Sequence, residues 1–177
     1  MNSKHALVLS TALLAFIAGF SFAEVIHGSG GDDSLTGTTD ADTITGHAGD
    51  DHIEGLEGND DLMGGCGSDW VDGNHGDDTL SGGPGTDTIL DKWGATTVWD
   101  GEKGEGADGD EDTIDVSDGE GDDVVNCGPE DKVIADPDDR IKVHNKSGGF
   151  RFTGSYTEYL TWKEGLLDGH STTTKHP

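Results

Sequence analysis

Gly64-Gly65-Cys66-Gly67-Ser68-Asp69-Trp70-Val71-Asp72 and, two repeats later, Gly82-Gly83-Pro84-Gly85-Thr86-Asp87-Thr88-Ile89-Leu90 follow one spelling: paired glycines, a third glycine, an aspartate, then an aliphatic residue two places after the aspartate. Outward from these segments the pattern keeps a step of nine. Glycine recurs at Gly28, Gly37, Gly46, Gly55, Gly64, Gly73 and Gly82, and aspartate at Asp33, Asp42, Asp51, Asp60, Asp69, Asp78 and Asp87. The aliphatic column reads Leu35, Ile44, Ile53, Leu62, Val71, Leu80 and Ile89. A second glycine column reads Gly31, Gly49, Gly58, Gly67, Gly76 and Gly85, with Asp40 in the one remaining place. Self-similarity at a fixed short period marks a repeat architecture, in which each unit buries its apolar face only against its neighbours.

Composition sets the problem that the repeat must solve. The 177 residues include 30 glycines, are 31% hydrophobic and 6% aromatic, and carry 10 Lys plus Arg against 37 Asp plus Glu, a formal net charge of −27. Such a chain cannot fill a conventional core with large side chains, and its self-repulsion opposes any compact state. Low hydrophobicity with high net charge also describes disordered chains; seven nonapeptides in strict register argue against that for Gly28 to Leu90. Nucleic acid and anionic membrane surfaces would be repelled, so cations are the natural counterpart.

Each column has a chemical use. Glycine allows close backbone approach and positive φ, so main-chain carbonyls in a turn can converge on an ion. An aspartate at a fixed place supplies the hard oxygen that calcium prefers, and a ligand column without Cys or His does not suit a transition metal. The Asp-x-aliphatic triplet suffices for a short strand with one side chain pointing inward. His27, His47, His52 and His75 fall at scattered repeat positions and read as solvated surface residues rather than a zinc site.

The two quoted segments resemble the nonapeptide G-G-x-G-x-D-x-U-x of repeats-in-toxin (RTX) proteins. The resemblance implies an all-β fold, a right-handed parallel β-roll (a β-solenoid) in which two repeats make one coil and Ca2+ sits between turns stacked along each edge. It makes Asp33, Asp42, Asp51, Asp60, Asp69, Asp78 and Asp87 the expected metal ligands, aided by the backbone of Gly28, Gly31, Gly46, Gly49, Gly55, Gly58, Gly64, Gly67, Gly73, Gly76, Gly82 and Gly85. If alternate repeats stack, the regular block has three gaps on one edge and two on the other, hence about five ions. Only the fifth and seventh repeats carry the full Gly-Gly pair, and Asp40 puts one tight turn in question.

After Leu90 the register loosens. Asp91 to Trp99 keeps Gly94 and Val98 in phase but has Thr96 in the ligand place, so its ion site is expected to be lost. Gly101 to Asp110 reads as a loop. The triplet returns at Asp112, Asp123, Asp131 and Asp139, which read as degenerate coils, with Asp123 the best further ligand. Phe150, Phe152, Tyr156, Tyr159 and Trp162 read as an aromatic cap on the open end, with Gly154-Ser155 as a hairpin turn. The resulting division is a signal peptide over 1–23, a regular roll over 24–99, degenerate coils over 100–143, an aromatic cap over 144–168 and a disordered tail over 169–177.

The signal peptide rests on Lys4, the apolar stretch Ala6 to Phe20 and the small residues of Ser21-Phe22-Ala23 before Glu24. The apolar run is short of the roughly 20 residues that span a bilayer. Its removal would take away Lys4, changing −27 to −28, and place the chain outside the cell or at its surface with no membrane span. There, Cys66 and Cys127 suggest one disulfide. With no H-E-x-x-H and no G-x-S-x-G, a catalytic domain is not expected. A calcium-binding structural or interaction role is the leading reading, with a polysaccharide or protein partner unspecified. The alternative is a calcium-dependent accessory or carbohydrate-binding module of a secreted enzyme or adhesin system. Ice binding would need ranks of Thr or Asn, and the mixed turn residues argue against it.

Overall fold

A computed structural model describes residues 22–101, 109–119, 121–144 and 150–167. The proposed leader up to residue 21, the loop at 102–108, Glu120 and the tail from 168 lie outside the described residues.

The Asp-x-aliphatic triplets form strands. β1 (Val25–His27), β3 (Thr43–Ala48), β5 (Asp61–Cys66), β7 (Thr79–Ser81), β9 (Thr97–Trp99), β11 (Val124–Cys127) and β13 (Arg140–His144) stack in parallel in that order. On the opposite face run β2 (Ser34–Thr36), β4 (His52–Glu57), β6 (Trp70–His75), β8 (Thr88–Leu90), β10 (Thr113–Asp115) and β12 (Lys132–Ile134). Consecutive strands fall in opposite sheets, so one coil takes two repeats, as the pairs Ile26↔Ile44 and Leu35↔Ile53 show. The molecule is a parallel β-solenoid.

Through the regular coils its core is one aliphatic side chain per strand, and towards the C-terminal end Val116, Ala135 and Val143 add to it. Ile44, Ile53, Leu62, Val71, Leu80, Ile89, Val98, Ile114, Val125 and Ile141 are all 0% exposed. Alternation along each strand turns the flanking residues outward, which is why a chain so poor in large apolar residues can still close a core. The four histidines of the regular block are exposed; His52 stacks on Trp70 at 4.1 Å and His75 on Trp93 at 4.2 Å.

Two expectations are corrected, the first at the C-terminal end. Gly154-Ser155 is not a hairpin turn: β14 (Phe150–Ser155) runs antiparallel to β13 and leads directly into a helix, α1 (Tyr156–Leu167), so the fold is not wholly β. The helix starts there because Ser155 and Glu158 form a reciprocal cap, the Ser155 N–H donating to Glu158 Oε2 at 2.8 Å and the Glu158 N–H to Ser155 Oγ at 3.4 Å. Tyr159, 1% exposed, enters the core, with Phe152, Tyr156 and Trp162 packed against it. The Tyr156 hydroxyl donates to the Val133 carbonyl at 3.0 Å, and Lys163 Nζ donates to the Asp131 carbonyl. Helix and aromatics together close the last coil.

The second correction concerns the cysteines, which are both free, Cys66 exposed and Cys127 buried. They lie on β5 and β11, with β7 and β9 between them. Three strand steps of about 4.8 Å separate them by far more than a disulfide can bridge. Burial pushes the Cys127 thiol well above its ordinary pKa.

Candidate metal centre

The seven aspartates of the repeat, with Asp123, are buried and fall into two columns, one along each edge where the chain passes between sheets. Within a column each carboxylate after Asp33 is fixed by the chain before it. Oδ1 of Asp51, Asp69 and Asp87 accepts the N–H of Asp33, Asp51 and Asp69 at 2.8 Å each. On the other edge Oδ1 of Asp60 and Asp78 accepts from Asp42 and Asp60 at 2.7 Å. The ladder continues beyond the regular block: Asp112 accepts from Asp87, Asp131 from Asp112, Asp123 from Thr96 and Asp139 from Asp123.

The other carboxylate oxygen is left open in the interior turns. Oδ2 of Asp51, Asp60, Asp69 and Asp78 is buried with no hydrogen-bond donor. In the first turn of each edge it is closed instead, accepting the N–H of Ser29 at Asp33 and of Thr38 at Asp42, both at 2.5 Å. The difference follows the backbone. The equivalent residues of the later turns, His47, Leu56, Gly65, Asn74 and Gly83, have φ between 73° and 114°, whereas Ser29 and Thr38 do not take positive φ. A bulky residue such as Leu56 at φ 89° is an outlier that only its surroundings can hold.

The two glycine columns serve different purposes. The first has ordinary φ and is required for space. A β-carbon on Gly64 would lie 2.7 Å from the Gly82 carbonyl oxygen and closer still to Asp69 Oδ2; on Gly55 the same oxygens come from Gly73 and Asp60. Each first-column glycine except Gly73, where Asp91 Oδ2 takes the place of the carbonyl, thus marks a point where a carboxylate of its own turn and a carbonyl of the next coil converge. Within the regular block Gly28, Gly46 and Gly64 mark three such points on one edge and Gly37 and Gly55 two on the other, and Gly82 marks a further one with the carbonyl of Asp100, just beyond the block. The second column, Gly49, Gly58, Gly67, Gly76 and Gly85, has φ between 115° and 145° and presses on the backbone of the preceding coil, leaving no room for a side chain. Asp40 avoids positive φ, and its backbone lies against Gly58 of the next coil, so the turn forms without the expected glycine.

Burying many carboxylates together has an electrostatic cost. Loss of solvation, opposed by N–H donors and reinforced by neighbouring carboxylates, pushes Asp60 and Asp69 up to about 6 and Asp78 and Asp123 to about 7. Asp51 and Asp139 are raised for the same reasons. An array of buried oxygens that holds its charge reluctantly is one that a divalent cation would relieve, and carboxylates with carbonyls are the donor set of calcium.

Several acidic residues join the columns although the repeat pattern did not mark them as ligands. Asp112, Asp131 and Asp139 carry the strand triplet, which is the signal that could have found them. Asp91 and Asp100 continue the nine-fold step from Gly82 and so stand in the glycine column, which carries no ligand signal. Asp100, Asp112 and Asp131, all buried, offer oxygens within 4.8 Å of one another.

Compared with known families, the chain matches the RTX calcium-binding nonapeptide repeat (4 copies) at residues 19–53, 27–62 and 54–89. The comparisons with curated proteins and with solved structures gave no match. Residues 19–89 therefore carry RTX repeats, a calcium-binding class of β-roll, and Ca2+ is the ion such repeats bind. Among the described residues no helix is long and apolar enough to cross a membrane.

Proposed function

We propose that the chain is an exported structural or interaction module whose fold is completed by calcium. Ca2+ is held between stacked turns by Asp33, Asp51, Asp69 and Asp87 on one edge and by Asp42, Asp60, Asp78 and, further on, Asp123 on the other, with carbonyls of the first glycine column as partners. The convergence points at Gly28, Gly46, Gly64, Gly37 and Gly55 give five ions in the regular block. The observation that carries the reading is the row of buried, donorless Oδ2 atoms, those of Asp51, Asp60 and Asp69 each beside a carbonyl of the next coil.

One aliphatic side chain per nine residues does not offset the entropy of ordering nine backbones. Calcium supplies the missing stabilisation by cancelling carboxylate repulsion and by binding only where turns are stacked, so its binding energy becomes folding energy. Extracellular calcium modules bind at about 10⁻⁴–10⁻³ M, which suits a chain unfolded before export and folded after it. The leader-like start agrees with this route, and a core filled strand by strand with a capped end suits a structural role. A polysaccharide or protein at the cell surface is the class of partner such a module would meet.

Circular dichroism of residues 24–177 during a calcium titration tests the reading. Disordered spectra in chelator should convert cooperatively to β-rich ones with calcium and not with magnesium, which demands a more rigid octahedron. A β-rich spectrum that persists in excess chelator would overturn it.

A further inference from the structure

The period of nine runs one unit further upstream than the seven complete repeats. Gly19, Glu24 and Ile26 stand nine places before Gly28, Asp33 and Leu35, and the family match itself begins at residue 19. Ile26 enters the core, and Glu24, half-buried, stands at the head of the edge of Asp42, Asp60 and Asp78. Two hydrogen bonds fix its main chain: the Thr43 N–H donates to the Glu24 carbonyl at 2.9 Å, and the Glu24 N–H donates to Asp42 Oδ1 at 2.5 Å. The other edge has no such head, and Asp33 Oδ1 is buried without a donor.

The expected leader ends between Ala23 and Glu24, inside this first unit. Phe22 and Ala23 are exposed, so the chain leaves the roll at the bond that would be cut. Hydrolysis by a leader-cleaving peptidase adds water across the Ala23–Glu24 amide, leaving a carboxylate on Ala23 and an amine on Glu24 that takes up a proton at neutral pH. The nitrogen that offered Asp42 one neutral N–H thereby becomes an ammonium.

The surroundings favour that charge. From Glu24 to Asp91 the sequence has 17 aspartates and glutamates and no lysine or arginine, Lys92 being the first. Asp42 is 2% exposed. A charge-assisted hydrogen bond is roughly twice as strong as a neutral one, and the half-buried Glu24 nitrogen keeps water on its outer side, so desolvation takes back little of the gain. Oδ2, the oxygen that meets the Gly55 carbonyl at Gly37, points to the other side of the carboxylate, so the ammonium and a calcium ion do not compete for one atom.

We propose that the Glu24 amino group released by leader removal is a built-in cation of the roll: it pairs with Asp42, anchors the first coil and makes processing itself stabilise the folded state. The inference rests on the export reading above and deepens it, since cutting the chain and meeting calcium then act at the same acidic edge and in the same direction.

Three forms of the chain test this: residues 24–177 with a free Glu24 amine, the same residues with that amine acetylated, and residues 21–177, which keep Ser21-Phe22-Ala23. Acetylation preserves the N–H and removes the charge; the extension moves the charge three residues away. At the calcium level that half-folds the acetylated form, circular dichroism should show a folded-to-unfolded ratio about fivefold higher for the free amine, and the extended form should match the acetylated one. In Asp42→Asn, free and acetylated forms should become equal, whereas in Asp33→Asn, on the other edge, the fivefold difference should persist, each variant being compared at its own half-folding calcium level. Equal ratios in the wild-type forms would mean that the amine stays in solvent, and the proposal would be wrong while the calcium reading stands; a difference that survives Asp42→Asn would overturn the partner. A mass of the exported chain that does not begin at Glu24 would overturn the role of processing. If the chain stays β-rich in chelator the calcium reading fails, and the thermal midpoints of the three forms still decide the ion pair, equal midpoints refuting it.

Discussion

From Glu24 to Trp99 every coil takes two nonapeptides, whereas beyond it the coils are uneven: Thr88 pairs with Thr113 and Thr97 with Val124 across long steps, Thr113 with Lys132 and Val124 with Arg140 across shorter ones. The sheets run through the change without a break. Ile114 lies on Ile89 and Val125 on Val98 as squarely as Ile53 lies on Leu35. The strand register is therefore set by the Asp-x-aliphatic triplet: the aspartate accepts an N–H from the coil before, the aliphatic residue enters the core, and the turns absorb whatever length remains. Glycines are needed only where one turn lies directly on another. Gly76 presses on the Gly58 carbonyl, whereas Gly119, with φ of 97°, has open space around it.

That contrast can be broken most severely at the glycines. Gly76→Ala adds a methyl where backbone stands and forces positive φ on alanine, so it should cost roughly 3 kcal/mol or more and remove calcium-induced folding at ordinary calcium levels. Gly119→Ala meets only the backbone penalty, about 1–2 kcal/mol. Equal calcium midpoints by circular dichroism in the two variants would show that stacking of the turns is not what requires glycine.

The cores of the two regions should differ next. Ile53→Ala empties a fully enclosed position of the regular block and should cost about 2–5 kcal/mol. Val133→Ala, at a 6% exposed position near the cap, removes less and can relax more, so its loss should be smaller. Thermal unfolding in saturating calcium ranks them.

Among the aspartates, the interior of a column should matter more than its start. Asp60→Ala removes a carboxylate that fixes the Asp42 N–H and offers an open Oδ2, leaving a buried donor unpaired at about 1–3 kcal/mol. Asp33 opens its column, with no preceding turn to hold and its Oδ2 already closed by Ser29. Calorimetric calcium affinities that fall equally in Asp60→Ala and Asp33→Ala would contradict the stacking order.

Acid should partly replace calcium. The raised aspartates bind more protons folded than unfolded, so the stability of the calcium-free fold is greatest below their ordinary value of 3.8 and is lost as pH rises through about 6 to 7. In chelator, β content should thus increase as pH falls from 7 toward 4, whereas calcium affinity should weaken over the same range because protons compete for the same oxygens. A chelated protein equally unstructured across that range would show that carboxylate repulsion is not the barrier. The smallest effect is expected at Leu56. Leu56→Gly relieves positive φ and should raise the thermal midpoint in calcium by an amount equivalent to less than about 1 kcal/mol, the glycine's own entropy offsetting part of the gain. A lowered midpoint would mean that Leu56 contributes more by packing than it costs in backbone strain.

The sequence by itself determined the coil, the core and the two acidic edges, because all three depend on a local period: each nonapeptide returns the chain to the opposite sheet, and every return places the same chemistry at the same height. It also held the signs of the capping helix, in Ser155 and Glu158, and of the ladder's continuation, in Asp112, Asp131 and Asp139. What only the tertiary structure decided is what lies beside what once the period fails. The two long steps after Leu90 bring Asp100 to Asp112 and Asp131 and carry Cys127 three strands away from Cys66. Asp91 reads in sequence as a missing glycine, and only the fold places its carboxylate where a carbonyl would stand beside Gly73, because the groups it faces across a gap belong to turns that the chain's own spacing does not name.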